Sequence, residues 1–167
     1  VAAQLTTRLG VKPVLVAGMT TLTIGLIYFT QVSVGGSYVR DLLPGFLLIG
    51  LGIGFSFVPI SIAALAGIQP AEAGLASGLI NTSQQIGGAL GIAALSTIAS
   101  SRTDDALASG TAVPSALVDG FTAAFVAGAI IAALGILASL TLIRRHELEQ
   151  PVPAVEPVAE PVLETAA

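Results

Sequence analysis

Ser77, Asn81, Gln84 and Gln85 are the chemically capable side chains of an otherwise apolar stretch, residues 76–99. At about 100° per residue they fall within roughly a quarter turn of one another, beside Gly74, Gly88 and Gly91. Leu75, Leu79, Ile86 and Leu90 occupy the opposite face. Amides placed this way can hydrogen-bond a neighbouring helix, worth about 0.6 kcal/mol each in membranes. They can equally line a polar cavity and meet a substrate, and both readings stay open here. Catalysis has poorer material. The one histidine, His146, lies beyond Arg144 and Arg145, no two carboxylates share a buried face, and no serine has a base to activate it. The chain has no cysteine, so disulfides, thiolate chemistry and cysteine metal sites are excluded. No catalytic residue, metal site or cofactor is expected.

Composition identifies the elements that must carry these residues. The chain is 54% hydrophobic and 10% charged, against roughly 25% charged residues in an average soluble domain. An all-α integral membrane protein with the lipid bilayer as its surroundings is the expectation. The six Lys and Arg residues are scattered, which is no nucleic-acid surface. Crossing about 30 Å of hydrocarbon takes about 20 apolar residues. Four stretches qualify, at about 13–30, 42–66, 76–99 and 121–143, within a membrane region spanning 13–146. Pro13 suits a first helical position, and Pro59 predicts a kink in the second span. No span has an ionisable residue at its middle, since Asp41 and Asp119 stand at span ends.

Flanking charge gives an orientation. Arg8 and Lys12 precede the first span and Arg144 and Arg145 follow the fourth, so both termini are expected in the cytoplasm. Arg40 beside Asp41, and Arg102 near Asp104 and Asp105, then face outward. The chain opens on Val1 rather than Met, and residues 1–12 read as the end of a preceding helix plus a cytoplasmic loop, so a fragment lacking N-terminal helices is expected. Residues 147–167 alternate Pro, Val, Ala and Glu, the composition of a disordered cytoplasmic tail. Gly50 and Gly54, Gly74 and Gly78, and Gly87 and Gly91 form small-xxx-small pairs that let helices approach closely, with Gly88 beside them. Phe55 and Phe57 next to Pro59 fit either core packing or an aromatic wall.

Two stretches resemble a known family. The run from Leu5 through Arg8, Gly10 and Lys12 to Gly18 resembles the cytoplasmic signature loop of major facilitator superfamily transporters, in its C-domain copy. Thr7 stands where that signature carries an acid. The run Gly74 to Gly91, with Asn81, Gln84, Gln85 and the Gly87–Gly88 pair, looks like the penultimate helix of the drug:proton antiporter family with fourteen spans. The resemblance implies the C-terminal part of a facilitator-superfamily bundle in the inner (plasma) membrane. It implies export of amphipathic small molecules by alternating access, with protons as the coupling ion and the coupling carboxylates on the missing helices. The other expectation the residues allow is a self-contained four-span oligomeric pore or scaffold.

Overall fold

The computed structural model describes residues 2–65 and 67–142. Helix α1 (Ala2–Leu9) is followed by α2 (Val11–Phe29), α3 (Leu43–Leu65), α4 (Ala73–Ala108) and α5 (Val113–Leu142). A π-helical turn at Tyr38–Leu42 leads into α3, and a 3₁₀ turn at Pro70–Glu72 leads into α4. The chain is an all-α membrane protein. Arg144, Arg145, His146 and the expected tail at 147–167 lie outside the described residues.

Three stretches among the described residues are long and apolar enough to cross a membrane: Val11–Phe29, Tyr38–Leu65 and Val113–Leu142. Helix α4, the expected third span, has 36 residues and ample length. Its Asn, Gln, Ser and Gly residues dilute its hydropathy, so it does not stand with the other three on composition. Expected and observed bounds also differ. Helix α4 runs to Ala108, so Arg102, Asp104 and Asp105 sit on a helix where a loop is expected. Helix α5 starts at Val113, which brings Asp119 into its second turn. The expected loop before the first span is helical through Leu9, broken only at Gly10. There φ is +89°, a backbone conformation that glycine adopts without strain.

Helices α2 and α3 form the closest pair. A side-chain carbon placed at Gly18 would lie 2.9 Å from the Ser56 backbone nitrogen, and one at Gly25 would lie 3.1 Å from that of Ile49. At Gly52 it would lie 2.6 Å from the Leu22 backbone nitrogen, and at Gly45 it would strike the Phe29 ring. The glycines recur every seven residues on each helix, the repeat of a left-handed antiparallel pair. The packed glycines are thus a different set from the small-xxx-small pairs: Gly50, Gly54, Gly74, Gly78, Gly87, Gly88 and Gly91 have open space above them. Pro59 is fully buried within an α3 that runs unbroken to Leu65.

Helix α5 crosses the other side of α2. Gly128 lies below Leu26 and Leu95, and Gly135 below Met19. The Phe29 ring lies 5.1 Å from Phe125, the two planes tilted by 37°, and meets Phe46 edge-on at 5.0 Å. Lys12 Nζ donates to the Leu140 carbonyl oxygen at 2.6 Å, a favourable place for a cation near a helix C-terminus. The bundle therefore runs α3, α2, α5, α4, with α4 at an edge. Most threonine hydroxyls along the helices are satisfied by their own backbone, whereas the buried hydroxyls of Ser56 on α3 and Ser139 on α5 have no partner among the described residues. Thr20, Thr21, Thr23, Thr82, Thr97, Thr103 and Thr141 each donate to the carbonyl four residues back.

Candidate functional site

Helix α4 has two halves with different surroundings. In the C-terminal half, Gly91, Leu95, Ala99, Thr103 and Ala106 are half-buried. Helix α5 covers this half: a side-chain carbon at Gly120 would lie 2.5 Å from the Ala99 carbonyl oxygen, and Leu95 reaches over Gly128. In the N-terminal half, every residue from 81 to 90 is exposed. Ser77, Asn81, Gln84 and Gln85 make no hydrogen bond among the described residues.

The two halves share a face. Steps of three and four residues, one turn of about 3.6, carry a single line up the helix. It passes from Gly74 through Ser77, Asn81, Gln84, Gly88 and Gly91 to Leu95, Ala99, Thr103 and Ala106. The upper part of this line packs on α5; the lower part, with Gln85 on its shoulder, has nothing over it. Leu75, Leu79, Ile86 and Leu90 stand opposite, and Leu75 is 72% exposed. Leucines suit lipid on that side. Each unpaired amide on the other would cost several kcal/mol in hydrocarbon.

The other sequence-selected residues do not join this site. Arg8 lies in the last turn of α1 and is exposed. Gly10 makes the α1–α2 break, and Lys12 reaches across to α5. Phe57 is exposed and Phe55 half-buried beside the α2–α3 contact. Among the described residues, no cluster of three metal-ligating side chains is present. Sequence reading missed two sites at the opposite end of the bundle, where α2 ends and α3 and α5 begin. One is a polar cleft on the α2–α3 connection, the other an apolar cavity among Phe29, Phe121 and Phe125. Tyr28 and Phe29, a few residues before the Gly35-Gly36-Ser37 run, were the available signal, but only folding brings Phe121 and Phe125 to them.

Comparison with known proteins agrees with a membrane transport setting. The chain is 36% identical over 139 residues to the puromycin resistance protein pur8 of Streptomyces alboniger, a match covering 82% of this chain and 27% of that protein. It is 33% identical over 92 residues to the cephamycin export protein CmcT of Amycolatopsis lactamdurans, covering 55% of this chain and 19% of that one. It is 30% identical over 99 residues to a multidrug resistance protein B homolog of Mycobacterium tuberculosis, covering 59% and 18%. These relatives carry the names of resistance and export proteins, not of enzymes. The chain spans about a quarter of the first relative's length and less of the others'. No family model matches the chain. No solved structure matches it either.

Proposed function

We propose that the chain is the C-terminal part of a facilitator-type secondary transporter, a drug:proton antiporter with fourteen spans that exports amphipathic small molecules by alternating access. One observation carries this reading. The face with which α4 packs on α5 continues, uncovered, into the Ser77–Asn81–Gln84 line. A helix whose packed face turns polar halfway along is suited to border a polar pathway closed by further helices. The similarity to named resistance and export proteins supports the same reading.

In this account α4 is the third of four crossings, both ends of the chain face the cytoplasm, and the protein resides in the plasma membrane. Asn81, Gln84 and Gln85 hydrogen-bond the substrate or the water around it. Gly74, Gly78, Gly87, Gly88 and Gly91, with Gly50 and Gly54 on α3, receive the helices of the other part. None of the four crossings has a carboxylate or imidazole at its middle, so proton coupling belongs to acids on those other helices. Gln84→Leu in the complete transporter tests the assignment. The expected result is normal amounts of folded protein with export of one or more substrates reduced about tenfold, a loss of about 1.4 kcal/mol. Unchanged export of every substrate would remove Gln84 from the pathway, and loss of folded protein alone would make it a packing residue.

A further inference from the structure

The connection from α2 to α3 builds a second site, independent of α4. Tyr28, Gln31, Ser33, Ser37, Arg40 and Asp41 line a cleft of about 560 Å³. The Tyr28 hydroxyl donates to the Arg40 carbonyl oxygen at 2.6 Å and ties the connection to the end of α2. The remaining polar side chains are open. Gln31, Ser33 and Ser37 make no side-chain hydrogen bond among the described residues, and Arg40 and Asp41 pair neither with each other nor with another described residue. That contrasts with Thr20, Thr21, Thr23, Thr82, Thr97, Thr103 and Thr141 on the helices, whose hydroxyls donate to their own backbone. The Asp41 carboxylate lies over Gly36, in the space a side chain there would occupy.

Depth and chemistry narrow the ligand. Helix α2 has 19 residues, about 28 Å at 1.5 Å each, close to one hydrocarbon thickness. The cleft at its end therefore lies in the headgroup layer. A guanidinium donates to phosphodiester oxygens; a carboxylate and serine oxygens accept from a primary ammonium, whereas a quaternary ammonium has no N–H to give. On the adjoining side, Phe29, Val32 and Leu42, each next in sequence to a residue of the cleft, join Val118, Phe121 and Phe125 around an apolar cavity of about 240 Å³. We propose that the cleft holds the headgroup of a phospholipid with a primary ammonium, phosphate on Arg40 and ammonium on Asp41, its acyl chain entering the Phe29–Phe121–Phe125 cavity.

The test reconstitutes the full chain in nanodiscs of equal phosphatidylethanolamine and phosphatidylcholine and identifies the lipids it retains by native mass spectrometry. Phosphatidylethanolamine should be enriched about fivefold, the scale of one interfacial charge contact. Arg40→Gln and Asp41→Asn should each abolish the enrichment, and Arg102→Gln, a charge outside the cleft, should leave it intact. Gly36→Ala, which displaces the Asp41 carboxylate without removing a charge, should reduce it in protein whose circular dichroism remains helical. Absence of enrichment, or enrichment that survives Gly36→Ala and both charge variants, would overturn the proposal. Soluble phosphoethanolamine at millimolar concentration should fail to displace the lipid; displacement would make the ligand a soluble zwitterion instead.

Discussion

Glycines decide how close these helices come, and not all nineteen do so. Gly52 faces backbone atoms: an added carbon would lie 2.6 Å from the Leu22 nitrogen and 2.8 Å from the Gly18 carbonyl oxygen. Backbone cannot swing aside as a side-chain tip can, so Gly52→Val must push α2 and α3 apart. It should destabilise the protein by about 1–3 kcal/mol, the usual range for overpacking, read as an earlier unfolding midpoint in a denaturing-detergent titration. Gly50→Ala meets open space on the same helix and should shift that midpoint by less than about 1 kcal/mol, in the stabilising direction expected of alanine in a helix. Equal losses from both substitutions would contradict the glycine assignment. Sequence spacing alone favoured Gly50 and Gly54, because a four-residue step is the better-known signature. The seven-residue recurrence of Gly18 and Gly25 against Gly45 and Gly52 is equally present in the sequence, but only the pairing of α2 with α3 selects it.

At the scale of elements, α4 is one helix with two environments. Ala99 lies under Gly120, whereas Gly88, on the same line, lies under nothing. Ala99→Leu should therefore separate α4 from α5 and lower the stability of the chain by about 1–3 kcal/mol. Gly88→Leu should leave the stability of the chain alone nearly unchanged and, on the function proposed above, impair only export by the complete protein. The same denaturing titration checks both, and a comparable loss from Gly88→Leu would mean that α4 closes onto its own bundle. Much of this was legible beforehand. Apolar runs marked the helices to within a turn or so at most ends, and the amide face of α4 followed from periodicity. Helix ends at Ala108 and Val113 were not legible, because Arg102, Asp104 and Asp105 read as a loop when only apolar length is counted. The order α3, α2, α5, α4 was also hidden, since it depends on contacts such as Met19 over Gly135 that no local pattern encodes. The Asn81–Gln84 line could be drawn from the sequence; its continuity with the packed face at Leu95 and Ala99 required α5 to be in place.

For the whole molecule, the proposed function gives α4 an inside and an outside. On the function proposed above, Leu75, Leu79, Ile86 and Leu90 mark the outside, and Ser77, Asn81, Gln84 and Gly88 the inside, where further helices would enclose a pathway. This chain has no cysteine, so a cysteine-free background requires replacing only those of the rest of the complete protein. Single cysteines at positions 81, 84 and 88, and at 79, 86 and 90, are placed in the complete transporter and exposed to a membrane-impermeant thiol reagent, with and without substrate. Positions 81, 84 and 88 should be labelled, with at least one protected by substrate, and positions 79, 86 and 90 should stay unlabelled. Labelling of 79, 86 and 90 with 81, 84 and 88 inert in every state would contradict the account.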